Sequence, residues 1–262
     1  MSSDLARSAT DFLHFIRIKV SIILSLVTIA GYFMFHPPGI AMAYAVLASF
    51  FIYTGCYAYN NMTDLKEDKV NRRKISPLAS GKMGYLIVLA SNLAGLSFSF
   101  LLSAHIVLLS LITMLLGILY SSLRIKKYLM LKNVVTAIIA AASFLFGALA
   151  APPATPVAPF YLLLFAFFLI GSIVSDMRDY RGDKAAGFKT LPVRIGYQKT
   201  KAVLLIMLFA YSLAAFFAGF LVLLPFIAFI LLSLHKDKPA KAHTLGGAAF
   251  IFLAAWFALA AF

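Results

Sequence analysis

The sequence predicts an all-α protein, a polytopic membrane bundle of about nine transmembrane helices with its N-terminus on the cytoplasmic side. Three observations carry that expectation. Of 262 residues, 63% are hydrophobic and only 12% are charged, and the mean hydropathy of +0.95 lies far outside the range of water-soluble chains. The apolar residues gather into runs of about 20, the number a helix needs to cross the hydrocarbon layer of a bilayer. All 23 lysines and arginines fall on one side of the topology that these runs define.

The runs span residues 16–35, 40–60, 84–103, 105–123, 131–151, 159–176, 200–217, 220–234 and 244–262. No cleavable signal peptide is expected before the first, because Asp4, Arg7 and Asp11 precede Arg17 and Lys19 and no small-residue cleavage site closes a short apolar stretch. Pro37-Pro38-Gly39 ends the first span and the proline-rich stretch 152–159 separates the fifth from the sixth, since proline lacks an N–H and disfavours helix before it. The unbroken run from Ala202 to Leu234 would make about 50 Å of helix, too long for one crossing, so a break is placed near Gly219. The single cysteine, Cys56, lies inside an apolar run, which excludes an internal disulfide and assigns it to packing.

With nine spans, the N-terminus and the connections holding Lys and Arg share one side, and the opposite loops hold none. The basic bias places that side in the cytoplasm and the C-terminus outside. The net charge of +14 is therefore an orientation signal first and an attraction to anionic lipid or substrate second, with no nucleic-acid partner needed.

Six of the nine acidic residues sit in two short segments, Asp64, Glu67 and Asp68, then Asp176, Asp179 and Asp183. Asn60, Asp64 and Asp68 follow i, i+4, i+8 spacing, and Asp176, Asp179 and Asp183 follow i, i+3, i+7, so each trio shares one helix face. Stacked carboxylates repel unless a cation neutralises them. For one cluster alone, solvated helix ends matched by neighbouring Lys and Arg would suffice. Two clusters, ending the second and the sixth spans on the same basic side, favour a shared ligand. Oxygen ligands without nearby His or Cys suit a hard cation such as Mg2+, which binds through one or two carboxylates plus substrate phosphates. Two such sites would clamp a diphosphate. The matching positions suggest a parallel quasi-repeat, spans 1–4 and 5–8 plus a ninth, within a single domain covering 1–262.

Arg and Lys donors should complete a diphosphate site. The candidates are Arg17 and Lys19 at the entrance of the first span, Arg72 and Lys74 after the first cluster, Arg124, Lys126 and Lys127 in the fourth-to-fifth connection, and Lys184 after the second cluster. Tyr53, Tyr57, Tyr59 and Tyr120 stand at cytoplasmic helix ends, either as an interfacial belt or as ring faces toward a carbocation. The five histidines pair with no second ligand, and Trp256 suits a membrane anchor or packing group.

Asn60-x3-Asp64-x3-Asp68, continued by Asn71 and Pro77-Leu78-x2-Gly81, resembles the first signature of the UbiA superfamily of intramembrane prenyltransferases. Asp176-x2-Asp179-x3-Asp183-Lys184 with Gly187-x2-Thr190-Leu191-Pro192 is similar to its second, and Tyr120-x3-Arg124 to the element between them. Two departures are Asn61, where many members carry Asp, and Ser76-Pro77-Leu78 in place of an Arg-Pro-Leu-like segment. The resemblance implies a bundle with a central cavity open to lipid and capped by cytoplasmic loops, in which Mg2+ helps ionise an isoprenyl diphosphate such as geranylgeranyl diphosphate. On that reading Asn60, Asp64 and Asp68 hold one Mg2+ and Asp176, Asp179 and Asp183 another, with Asp64, Asp68, Asp179 and Asp183 catalytic. Tyr120 joins the basic candidates at the diphosphate. The prenyl group passes to a lipophilic acceptor within the membrane, either a quinone precursor or geranylgeranylglyceryl phosphate, and pyrophosphate is released. The alternative from another class is a divalent-cation or phosphate transporter, disfavoured because no charged residue lies deep inside any span.

Overall fold

Each apolar run forms a helix. The computed structural model describes residues 2–70, 74–153, 155–185 and 187–260, with their side chains except those of 2–7, 66, 67, 70, 126 and 260. A short helix absent from the sequence expectations, α1 (Ser2–Phe15), precedes the first apolar one. Its end exposes Phe12, Leu13 and His14 and buries Phe15 against Ala58 and Ala79, which ties it to the bundle. Then follow α2 (Ile18–Phe35), α3 (Ile40–Thr63), α4 (Leu65–Val70), α5 (Lys82–Phe100), α6 (Ala104–Ser122) and α7 (Leu131–Ala148). The second half contains α8 (Ala158–Ala185), α9 (Leu191–Ile195), α10 (Tyr197–Phe217), α11 (Leu224–His235) and α12 (Pro239–Ala260).

Among the described residues, eight of these helices are long and apolar enough to cross a membrane, and the stretch Leu221–His235 is a shorter apolar ninth. The break expected in the Ala202–Leu234 run lies at Gly219, whose φ of 79° is in the left-handed region that glycine tolerates. The Pro37-Pro38-Gly39 turn separates α2 from α3, and Ser103 caps α6 by accepting from the Ile106 N–H at 3.3 Å.

Helix α2 packs against α3, α7 and α12, and α7 against α2, α3, α6 and α8, so the α2–α7 crossing joins the two halves of the chain. The crossing needs two glycines, because a Cβ on Gly147 would collide with the Thr28 carbonyl and one on Gly31 with the Phe144 carbonyl. Small residues at such crossings are how membrane helices bring their backbones together. Beside them the Thr28 hydroxyl meets Ser49 Oγ and the Ser143 carbonyl, both at 2.8 Å, so α2, α3 and α7 share one buried polar knot. Tyr53 of α3 donates to the Ile139 carbonyl of α7 at 2.5 Å, and is buried in that role. The packing leaves a wedge lined by α2, α3, α6, α7, α8 and α12, and its polar end lies where the acidic clusters are.

Candidate active site

The wedge is a cavity of about 370 Å³, within the range of small-molecule sites. Its deeper wall is apolar, with Val20, Leu24, Ile139, Phe167, Phe168 and Phe250, and its mouth is polar.

The first cluster keeps its helical stacking across the junction of α3 and α4. The Asp64 N–H donates to the Asn60 carbonyl at 3.0 Å and the Asp68 N–H to the Asp64 carbonyl at 2.8 Å, so the i, i+4 rise continues through the break. Asn60, Asp64 and Asp68 are all buried, and Asn60 and Asp68 line the cavity. The second cluster occupies the end of α8, whose 28 residues make about 42 Å of helix. That exceeds the hydrocarbon thickness of about 30 Å and carries the carboxylates out to the bundle's end. Asp179 and Asp183 line the cavity. Tyr120 lines the cavity, within electrostatic reach of Asp64, Asp176 and Arg17.

The expected basic partners separate into two groups. Arg17 lines the cavity, held by an unusual local structure: its backbone is left-handed at φ 48° and ψ 48°, its Nε donates to Asn61 Oδ1 at 2.7 Å, and it lies 5.8 Å from the Tyr57 ring centroid. Asn61 in turn donates to the Phe15 carbonyl at 2.7 Å, fixing the α1–α2 junction. Lys19, Arg124, Lys127 and Lys184 are exposed and outside the cavity wall, with Lys184 set 6.0 Å from the Tyr180 ring centroid. Lys74 pairs with Asp11 at 2.8 Å instead. Arg72 lies outside the described residues, as does the side chain of Lys126.

Sequence reasoning named no role for Lys132, Thr136, Ser172 or Arg178, quoted Thr190 only within a signature and set His243 aside, yet all six line the cavity. Asp179 takes two bonds from Arg178, at 3.0 and 2.9 Å. Asp176 differs from its neighbours: it is fully buried, and its oxygens accept from Lys132 Nζ and, at 2.9 Å, from Asn133 Nδ2. Cys56, expected only in packing, contributes to the cavity wall while abutting Gly117.

The donor set fits a hard cation. Asp183 Oδ2 and Thr190 Oγ1 are buried at the cavity with no partner beyond each other, and a buried carboxylate so sparsely bonded is costly unless a ligand completes it. Among the described residues no three His, Cys, Asp or Glu side chains converge into a self-sufficient metal site. Mg2+ needs only one or two protein carboxylates, because substrate phosphates and water complete its shell.

A bundle of membrane-length helices around a cavity that joins an apolar wall to carboxylates has the make-up of a membrane enzyme's site. The model of the UbiA prenyltransferase family matches residues 20–236. The digeranylgeranylglyceryl phosphate synthase of Saccharolobus solfataricus is 31% identical over 203 residues, covering 71% of each chain, and that of Sulfurisphaera tokodaii is 29% identical over 191 residues, covering 69% of this chain and 68% of its own. A UbiA homologue from Archaeoglobus fulgidus, solved bound to GPP and Mg2+, superposes with a TM-score of 0.75 over 96% of this chain and 99% of its own at 18% identity, a likeness of fold. The chain belongs to the UbiA prenyltransferase family. It is a multi-pass membrane prenyltransferase, and the transporter alternative falls with that assignment.

Proposed function

We propose that this chain transfers an isoprenyl group from a diphosphate such as geranylgeranyl diphosphate to geranylgeranylglyceryl phosphate, in the presence of Mg2+ and at the cytoplasmic face. The observation that carries the reading is one cavity whose polar mouth holds carboxylates from both clusters while its shaft is apolar. The named relatives support the acceptor, and the basic loops support the cytoplasmic side. The repeated placement of a cluster at the ends of α3 and α8 supports a single domain built as a quasi-repeat.

Asn60, Asp64 and Asp68 from one side, with Asp179 and Asp183 from the other, would hold the metal. When bound, Mg2+ supplies positive charge at the leaving diphosphate. Arg17 binds phosphate oxygens through the guanidinium nitrogens that Asn61 does not occupy, and Tyr120 offers its hydroxyl from the cavity wall. The allylic C–O bond breaks, its electron pair leaving on the pyrophosphate. Phe167, Phe168 and Phe250 keep water from the allylic cation. The acceptor hydroxyl oxygen attacks C1, forming the ether bond, and its proton departs at the polar mouth.

The test is purified chain with radiolabelled geranylgeranyl diphosphate and a panel of acceptors. Metal-dependent pyrophosphate release with geranylgeranylglyceryl phosphate, abolished by chelation and restored by Mg2+, is the expected result. Preference for a quinone precursor would overturn the acceptor, and no release with any acceptor would overturn the activity.

A further inference from the structure

Asp176 is set apart from the other carboxylates of its cluster by what it touches. Lys132 and Asn133 occupy the first turn of α7, immediately after Met130, whose positive φ of 61° turns the chain onto the helix. Both side chains reach across to α8. Lys132 Nζ donates to Asp176 Oδ1, and Asn133 Nδ2 donates to Asp176 Oδ2 at 2.9 Å and to Ser172 Oγ, one turn earlier, at 3.1 Å. Each Asp176 oxygen is thus engaged by protein, the residue is fully buried, and it does not line the cavity. Mg2+ demands near-octahedral geometry and keeps several waters, and nothing around this carboxylate gives them room. Asp183, which lines the cavity, and Asp179, which lines it too and has 25% of its side chain exposed, are placed differently.

Lys132 does line the cavity. An ammonium has three donors, and the bond to Asp176 uses one. A buried ion pair is a poor device for stability, because desolvation consumes most of the attraction, so its presence at a cavity wall calls for a role in ligand binding. We propose that Lys132 is a diphosphate-binding cation of this site and that Asp176, steadied by Asn133, is its positioning residue and not a metal ligand. This rests on the diphosphate reading above and deepens it: one carboxylate of the second cluster serves the anion by holding its cation.

The experiment measures two quantities on detergent-purified chain by thermal melting: stabilisation by inorganic pyrophosphate at saturating Mg2+, and half-saturating Mg2+ at saturating pyrophosphate. Wild-type chain gains stability only with both present; if it gains none, the diphosphate reading itself fails and this inference with it. Lys132→Met is expected to raise the half-saturating pyrophosphate by about tenfold or more, the worth of one charge-assisted hydrogen bond, and to leave half-saturating Mg2+ within about threefold. Lys132→Arg keeps the charge and recovers part of the loss. Asp176→Asn, nearly isosteric, reproduces the Lys132→Met pattern. A rise of about tenfold or more in half-saturating Mg2+ for Asp176→Asn makes Asp176 a metal ligand and overturns the proposal. Should that variant fail to fold, unchanged pyrophosphate binding in Lys132→Met overturns it equally.

Discussion

Replacing Asp183 by Asn should make the metal-free protein more stable and the enzyme much slower, and these opposite signs make the variant informative. Asp183 is 6% exposed, its Oδ2 finds no donor beyond Thr190, and the carboxylates of Asp176 and Asp179 act on it alongside Lys132. Asparagine keeps the shape and removes the charge. Relief from burying that charge beside like charges is worth about 1 kcal/mol or more, which corresponds to a melting temperature higher by roughly 2–4 °C for a chain of this size. In turnover the loss of one preorganised group at the leaving diphosphate costs about 10²- to 10³-fold. The assay pairs melting in detergent without Mg2+ against pyrophosphate release at saturating Mg2+ and prenyl diphosphate. A variant that melts lower and loses activity in parallel would show Asp183 to be merely structural, and wild-type turnover would refute its place in the reaction.

At the α2–α7 crossing, Gly147→Val forces the helices apart where a Cβ meets the Thr28 carbonyl; destabilisation of about 1–3 kcal/mol is expected, read as a lower melting temperature in detergent. Thr28→Val removes the hydroxyl shared with Ser49 and Ser143 and should cost about 0.6 kcal/mol, at most about 1.7, by the same measurement. Arg17→Ala should raise the KM for prenyl diphosphate by about tenfold or more, whereas Lys74→Ala, engaged with Asp11 on the outside, should change it less than about threefold. Equal effects in steady-state kinetics would mean that the cavity does not sort the basic residues as described.

The spans were legible because crossing a bilayer is a one-dimensional demand: length and hydropathy decide it, and Gly219 punctuates the one ambiguous run. The carboxylates were legible because helical spacing is local, and Asn60, Asp64 and Asp68 keep it even through the break at Asp64. The basic residues were not. Orientation places every Lys and Arg on one side, so nothing in the sequence distinguishes Lys132, reaching from α7 to Asp176 on α8, from Lys127, a few residues earlier and exposed. That sorting depends on which helix faces which, a tertiary property. The helix α1 escaped notice because it is short and polar in part, and what secures it, the Asn61–Phe15 contact, joins residues far apart in sequence.

The brevity of α11 bears on the lipid around it. Its 12 residues with the preceding turn Leu221–Leu223 reach only about 24 Å along their axis, against about 30 Å of hydrocarbon. Acyl chains along that flank must shorten or tilt by several ångström, at a fraction of a kcal/mol per ångström. The enzyme therefore carries a built-in thickness gauge on one edge, and its activity in bilayers of graded acyl length should be highest in the thinner ones.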